Sequence, residues 1–139
     1  MSKKIEDKFG KDDGAKGVIA PWVQSVTFSP DGQSIAAAAG VLQFFGAVDV
    51  WDVTTGKAKA TLKGITPTVR KVVFTPDSKF LATADGEGSV KLWDAATFQE
   101  FVGVDGYAPI AFSPDGKSIA LTTGRRTVVI LKIPNAKRP

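Results

Sequence analysis

The 139-residue chain contains neither histidine nor cysteine, and this limits the chemistry that its side chains can perform. A Ser-His-Asp or Cys-His nucleophile and the usual zinc ligand sets are excluded. Carboxylates, lysines and hydroxyls remain, and a pair of carboxylates could support glycoside hydrolysis. Nearly all of the carboxylates, however, lie in turn sequences such as Pro-Asp-Gly, where aspartate has a structural role. The sequence therefore predicts a protein that is not an enzyme and has no cofactor or bound metal.

The basic residues are unevenly distributed along the chain. Residues 1–106 hold 12 Lys and Arg against 13 Asp and Glu, whereas residues 107–139 hold 6 against the single Asp115. The last quarter therefore carries the net charge, and a basic segment of this kind can neutralise phosphates. No aromatic residues alternate with these cations to stack on bases. A solvated basic face is the favoured interpretation, and binding to nucleic acid or an anionic surface is the alternative function.

Length and hydropathy fit one globular domain. No apolar run approaches the roughly 18 residues that span a bilayer. The first 17 residues are rich in charged side chains and lack the apolar core of a secretory signal. The absence of cysteine excludes disulfides and leaves the cytoplasm as the default compartment. We therefore expect a cytoplasmic protein that does not enter a membrane.

Three segments repeat one pattern of strand, turn and strand: VTFSPDGQSIA (26–36), VVFTPDSKFLA (72–82) and IAFSPDGKSIA (110–120). The Ser-Pro-Asp-Gly sequence of the first and third is typical of a type I turn. Each segment is followed by a run rich in β-branched or aromatic residues, which predicts a further strand that is apolar on both faces. Four short antiparallel strands at a spacing of about 40 residues are typical of a propeller blade. A two-layer sandwich is the structural alternative, but it would not explain the same turn at the same place.

These residues resemble WD40 repeats. Trp51-Asp52 and Trp93-Asp94 close their predicted third strands as the dipeptide that names the family does, and LATADGEGSVKLWD (81–94) is similar to the family consensus. The resemblance implies an all-β fold of about three four-stranded antiparallel blades. It also implies structural roles for Trp51, Asp52, Trp93 and Asp94.

The resemblance covers about residues 21–134 and implies boundaries for the blades and their strands. The blades fall at about 21–64, 65–103 and 104–134. Four strands, a to d, are expected in the first blade at about 22–28, 33–39, 47–53 and 57–62. The strands of the second blade run over 69–102, and those of the third over 108–133, ending after strand c.

Several positions depart from the family pattern. Family repeats often carry a Gly-His pair whose histidine joins a Ser or Thr, an Asp and the Trp in a buried hydrogen-bonded network. Here Ile65 follows Gly64, and Glu87 stands where the turn between strands b and c usually has Asp. In the third repeat Leu131-Lys132 replaces Trp-Asp. We therefore expect that the network does not form.

Three blades are fewer than the four to eight that typically close a propeller. An open stack would leave two apolar faces and two strand edges exposed. A homo-oligomer, in which two chains form a six-bladed ring, is the favoured solution, and closure by another chain or further repeats is the alternative. In many family members the N-terminus supplies the outer strand of the last blade. Here residues 1–20 are expected to form a polar extension, which either supplies such a strand through Lys4–Phe9 or is disordered. Residues 135–139 are expected to form a basic tail.

The first repeat is four residues longer than the others, because Phe28 and Trp51 are 23 positions apart where the matching residues of the other repeats are 19 apart. The extra residues fall in the b–c hairpin, GVLQFFG (40–46). The resemblance places the b–c and d–a loops on one face, where family members commonly bind protein partners. The hairpin then either folds onto a neighbouring blade or anchors a partner or second subunit. The candidate contact residues are Val41, Leu42, Phe44, Phe45, Glu87, Arg125 and Arg126.

Together these observations predict a non-catalytic scaffold for protein–protein interaction or self-assembly.

Overall fold

The computed structural model describes residues 22–41 and 45–134, and at Val41 and Phe45 it describes the backbone. These residues form eleven strands. In chain order the strands are β1 (Trp22–Phe28), β2 (Ser34–Val41), β3 (Phe45–Asp52), β4 (Ala58–Thr61), β5 (Val69–Phe74), β6 (Phe80–Asp85), β7 (Ser89–Asp94), β8 (Glu100–Asp105), β9 (Tyr107–Phe112), β10 (Ser118–Thr122) and β11 (Val128–Lys132).

The strands form three antiparallel sheets in which neighbours along the chain are neighbours in the sheet. Sheet 1 has the order β1-β2-β3-β4, sheet 2 the order β5-β6-β7-β8, and sheet 3 the order β9-β10-β11. The predicted all-β fold of three small antiparallel sheets is confirmed. Within the described residues the third sheet ends at β11, so it has three strands where the other two have four. The same part of the chain has no helix long and apolar enough to cross a membrane.

The turns between the first two strands of each sheet follow the side-chain chemistry that their sequence predicts. The Ser29 hydroxyl donates to Asp31 Oδ1 at 2.5 Å, and the Asp31 carboxylate also accepts the backbone N–H of Gln33. Thr75 with Asp77 and Ser113 with Asp115 repeat the first contact at 2.6 Å. These aspartates therefore hold turns.

The last position of each of these turns requires a positive φ. Gly32 and Gly116 have φ values of 73° and 70°, which glycine adopts without strain. Ser78 occupies the same position in sheet 2 with φ 61°, a conformation that is uncommon for a residue with a Cβ. Of the three turns, Thr75-Pro76-Asp77-Ser78 therefore has the last residue that is least suited to its backbone conformation.

The hairpin between β2 and β3 is longer than its counterparts. The pairs Ile35↔Trp51, Leu81↔Trp93 and Ile119↔Leu131 occupy the same place in the three sheets. From there the ladder of sheet 1 continues to Gly40↔Gly46 and Val41↔Phe45. The four extra residues therefore lengthen this hairpin, as the spacing of the repeats predicts.

Candidate interaction surfaces

Each sheet has two faces, which we name from the residue at the end of its third strand. The front face carries Trp51 in sheet 1, Trp93 in sheet 2 and Leu131 in sheet 3, and the back face is the opposite one. Because side chains alternate along a strand, the ladder registers assign each residue to one face. The positions can therefore be compared from sheet to sheet.

In the joint between sheets 1 and 2, a back face packs against a front face. The back face of sheet 1 contributes small and β-branched residues, and the front face of sheet 2 contributes larger ones. These residues form one buried core cluster: Ala36, Ala38, Val48 and Val50 from sheet 1, with Val72, Phe74, Leu81 and Trp93 from sheet 2. The Ser25 hydroxyl adds polar contacts with the backbone of Val72, accepting from its N–H at 3.2 Å and donating to its carbonyl at 3.3 Å.

The joint between sheets 2 and 3 uses the same positions one repeat further along. The back face of sheet 2 contributes Ala82, Ala84, Val90 and Leu92, and the front face of sheet 3 contributes Ile110, Ile119 and Leu121. The two joints are thus chemically alike. Each buries two alanines and two branched residues of one sheet against apolar residues on the front face of the next.

The β1 side of the front face of sheet 1 has no such neighbour among the described strands. Val26 and Phe28 are 60% and 62% exposed, whereas Val72 and Phe74, at the same positions of sheet 2, are 0% and 6% exposed. Further out on this face, Trp51 and Asp49 on β3 are buried, and the Thr61 hydroxyl donates a hydrogen bond to Asp49. The exposed apolar area is therefore concentrated on β1.

The back face of sheet 3 is exposed in the same way at the other end of the stack. Val128 and Ile130 are 67% and 73% exposed, whereas Val90 and Leu92 at the same positions of sheet 2 are 1% and 6% exposed. Ala120 pairs with Ile130, as Ala82 pairs with Leu92. The back face of sheet 3 therefore carries the residues that a joint requires, but no described strand packs on it.

The b–c hairpins and the d–a connections lie together at one end of the sheets, which we call the upper rim. The Gly86 N–H donates to the Thr68 carbonyl, and the Gly106 N–H donates to the Gly88 carbonyl, both at 3.0 Å. A Cβ built on Gly46 would lie 1.9 Å from the carbonyl oxygen of Thr66. The backbones of hairpins and connections are therefore in direct contact here.

The predicted contact residues fall at this rim where they are described. Glu87 is exposed at the tip of the β6–β7 hairpin, and Arg125 and Arg126 are exposed in the β10–β11 hairpin. Leu42 and Phe44 lie outside the described residues, as do the side chains of Val41 and Phe45. The structure thus brings the two arginines together in one hairpin, and partner binding by these residues stays a prediction.

Part of the buried polar network forms, and the expectation that it would be absent is wrong in sheet 2. The Trp93 indole N–H donates to Thr83 Oγ1 at 3.0 Å inside the sheet. At the upper rim the Thr66 hydroxyl donates to Asp85 Oδ2 at 3.0 Å. Thr66 thus joins the d–a connection to the b–c hairpin without histidine.

Asp85 was missed by the sequence reasoning, which selected Glu87 as the acidic residue of this turn. The Asp85 carboxylate is buried and accepts the backbone N–H groups of Glu87 and Ser89 at 2.9 and 2.8 Å. The signal in the sequence was an aspartate directly before glycine at the end of a predicted strand. Such a residue closes a turn by hydrogen bonding to backbone N–H groups two and four residues on.

The aspartates of the two Trp-Asp dipeptides hold the turns at the other end of the sheets. Asp52 Oδ1 accepts the backbone N–H of Thr55 at 2.8 Å, and Asp94 Oδ1 accepts the backbone N–H of Ala96 at 2.7 Å. The Thr55 N–H lowers the pKa of Asp52 below its ordinary value. The hydroxyls of Ser29 and Ser113 likewise lower the pKa of Asp31 and Asp115. The carboxylates of Asp31, Asp52 and Asp115 are therefore stabilised in the ionised form by the turns that they hold.

The described residues contain no group of three or more His, Cys, Asp or Glu that could hold a metal ion. Residues 56–94, which run from β4 to the end of β7, match the family model described as WD domain, G-beta repeat. These residues are similar to a WD40 repeat. Comparison with curated proteins gives no match. WD40 repeat domains are generally non-catalytic scaffolds that bind proteins, and the three sheets correspond to blades of such a propeller.

Proposed function

We propose that this protein is a non-catalytic, cytoplasmic scaffold in which two chains assemble into a closed six-bladed ring. The observation that carries this proposal is the match between the exposed end faces and the buried joints. Val26 and Phe28 repeat the buried front-face positions of sheet 2, and Val128 and Ile130 repeat its buried back-face positions. Each end face therefore fits the other, and both are on every copy.

Ring closure follows from this arrangement of faces. The joint is head-to-tail, because the back face of sheet 3 on one copy meets the front face of sheet 1 on the other. Head-to-tail contacts give a ring when the rotation closes and a filament when it does not. Two copies supply six blades, which lies within the range of four to eight that close propellers. Both joints form in one association event, so the entropic cost of association is incurred once for two interfaces.

Apolar burial supplies the driving force. Each of the four large end-face residues would contribute about 1.5–3 kcal/mol when fully covered. Exposed apolar patches of this kind on soluble proteins commonly mark interaction sites. The proposal therefore predicts a dimer whose stability depends on Phe28 and Ile130.

A charge-swap experiment tests the ring. Phe28→Lys and Ile130→Glu each place a charge in both joints of a homodimer, so each variant alone should sediment as a monomer. An equimolar mixture can form one unaltered joint and one joint with a Lys–Glu pair, so we expect the mixture to recover the dimer. Phe101→Lys on β8 is the control, because Phe101 is an exposed apolar residue that belongs to neither end face. Circular dichroism should show β structure in all three variants.

The result that overturns the ring is a parent chain that stays monomeric at high concentration in sedimentation equilibrium. Dimers of equal strength for the parent and both single variants would place the contact elsewhere. A mixture that stays monomeric while the parent dimerises would show that the two altered faces do not meet.

We further propose that the upper rim of the ring binds protein partners through Glu87, Arg125, Arg126 and the hairpin residues Val41, Leu42, Phe44 and Phe45. Glu87 and the two arginines support this by their exposure at hairpin tips. The double variant Phe44→Ser with Phe45→Ser separates the interpretations of the long hairpin. It should weaken self-association if the hairpin crosses the joint, and only partner binding if it is a separate anchor. Salt-dependent binding of a DNA or RNA oligomer that Arg125→Ala with Arg126→Ala removes would instead favour the nucleic-acid alternative.

A further inference from the structure

A small polar pocket lies at the upper rim between sheets 1 and 2. It encloses about 80 Å³, and its described lining residues are Gln24, Gly40, Pro67, Thr68, Val69 and Arg70. Among them one side chain is positively charged and none is negatively charged. The pocket therefore favours a small anionic group.

Gln24 on β1 and Arg70 on β5 occupy the same structural position in the two sheets. The ladder between the first two strands shifts its register at Gln24 in sheet 1 and at Arg70 in sheet 2, so each is the extra residue of a β-bulge. A bulge turns the side chain of its extra residue out of the regular alternation of the strand. Both of these side chains line the one pocket. Each sheet thus contributes a polar side chain to the same site.

The Arg70 guanidinium is positioned by the neighbouring β6–β7 hairpin. A Cβ built on Gly86 would lie 3.3 Å from Arg70 Nε and 3.7 Å from its Nη2, so the guanidinium lies against the Gly86 backbone. The Gly86 N–H donates to the Thr68 carbonyl, which fixes this hairpin to the pocket wall. In the part of the chain that the structure describes, no carboxylate oxygen lies within 4 Å of the guanidinium. Its charge is therefore available to a ligand.

The Thr68 hydroxyl can offer a ligand only its lone pairs. The Thr66 hydroxyl donates its single hydrogen to Asp85, so the hydrogen in the 3.2 Å contact between the Thr66 and Thr68 hydroxyls comes from Thr68. A guanidinium satisfies both oxygens of a carboxylate with two parallel N–H donors. A phosphate monoester has a third acceptor oxygen, for which Thr68 has no donor left. The pocket therefore fits a carboxylate better than a phosphate.

We infer that this pocket binds the side-chain carboxylate of an aspartate or glutamate on a partner protein. Arg70 supplies the charge and the paired donors, the Gln24 amide donates from the opposite wall, and Thr68 Oγ1 accepts a backbone N–H of the partner. This inference names the chemistry of the partner and rests on the proposed binding role of the upper rim. It does not depend on the ring, because both walls of the pocket belong to one chain.

NMR titration of the ¹⁵N-labelled chain with N-acetyl-glutamate N-methylamide tests the pocket. We expect saturable shifts of the Gln24, Gly40, Thr68 and Arg70 amides. N-acetyl-glutamine N-methylamide has the same shape without the charge and should cause none. N-acetyl-phosphoserine N-methylamide should bind more weakly than the glutamate compound. If the phosphoserine compound binds more tightly, the assignment of a carboxylate is wrong.

Two variants that each remove one positive charge from the upper rim complete the test. Arg70→Gln should weaken binding of the glutamate compound by at least about tenfold, because it removes the charged donor. Lys63→Gln is the matched control, because Lys63 is exposed in the connection between β4 and β5 and does not line the pocket. At physiological salt this variant should bind like the parent. Both changes are at exposed residues, so both variants should keep the dispersed amide spectrum of the parent.

Equal binding by the parent and Arg70→Gln overturns the inference, as does an equal loss in both variants or a parent without saturable shifts at the pocket. The proposed role of the upper rim is tested separately by partner binding of Phe44→Ser with Phe45→Ser, which leaves the pocket residues in place. Sedimentation of the same samples reports on the ring. A monomer that binds the glutamate compound through Arg70 would overturn the ring and support the pocket.

Discussion

The indole N–H of Trp93 on β7 donates to the hydroxyl oxygen of Thr83 on the neighbouring β6, at 3.0 Å, and both side chains are buried. The bond satisfies the polar atom of the largest side chain in the core between sheets 1 and 2. Trp93 therefore fills the joint without the cost of an unsatisfied buried donor.

Thr83→Val should destabilise the protein although it conserves volume. It leaves the Trp93 N–H buried without its partner, which costs about 1–3 kcal/mol. Thr83→Ser retains the hydroxyl and should cost less. Urea unfolding followed by tryptophan fluorescence measures both. A larger loss for Thr83→Ser than for Thr83→Val would show that the methyl group, which only Thr83→Ser removes, matters more at this site than the hydrogen bond.

Trp93→Ala should be more severe, at about 3–5 kcal/mol, because it empties a buried aromatic site in a joint. Trp22→Ala is the natural comparison, since Trp22 is 76% exposed at the start of β1 and should cost far less in the folded monomer. Thermal unfolding at a concentration where the protein is monomeric checks the ranking. A larger loss for Trp22 would mean that its side chain is covered in solution.

The repeat pattern predicted much of this fold, because the turn chemistry and the two-sided apolar strands each point to one structure. In sheet 1 each strand begins and ends within about two residues of its predicted bounds. The polar network of sheet 2 could not be predicted by analogy to the family pattern. Its acid is displaced by two positions to Asp85, and the hydroxyl that binds it belongs to Thr66, one residue after the position expected of histidine. Which faces stay exposed depends on the number of repeats and on the sheet order, so Phe28 and Phe74 look alike in sequence although they differ tenfold in exposure.

Asp85→Ala should destabilise the upper rim of sheet 2, whereas Glu87→Ala should change little. The Asp85 carboxylate accepts from two backbone N–H groups and from Thr66, and hydrogen bonds to charged groups contribute about 1.5–3 kcal/mol each. Glu87 is exposed, and such surface changes stay within about 0.5 kcal/mol. Denaturant midpoints of the pair decide this, and the reverse ranking would restore Glu87 as the structural acid.

Acid should weaken the protein through the aspartates of the turns. The pKa values of Asp31, Asp52 and Asp115 are lowered in the folded state, so each contributes stability above its unfolded pKa of about 3.9 and loses it as the pH falls through the folded value. Ser113→Ala removes the hydroxyl that most lowers the pKa of Asp115, so this variant should lose less stability than the parent between about pH 5 and pH 2. Urea midpoints across this range measure the difference. A parent whose midpoint does not fall with acid would contradict the assignment.

Gly46→Ala should disrupt the contact between the long hairpin and the connection that follows sheet 1. A Cβ at Gly46 would lie 1.9 Å from the Thr66 carbonyl oxygen and 2.8 Å from the Pro67 nitrogen, and these backbone atoms can move only with the whole connection. Overpacking of this kind costs about 1–3 kcal/mol and occasionally more. Gly103→Ala is the matched control, because Gly103 also lies in a strand and its Cβ would approach no atom closer than 3.4 Å. We expect Gly103→Ala to stay within about 0.5 kcal/mol of the parent in urea unfolding.

Because Thr66 holds Asp85, Gly46→Ala should also increase hydrogen exchange at the Glu87 and Ser89 amides. If the two glycine variants unfold alike and leave those amides unchanged, the hairpin and the connection are not in contact in solution.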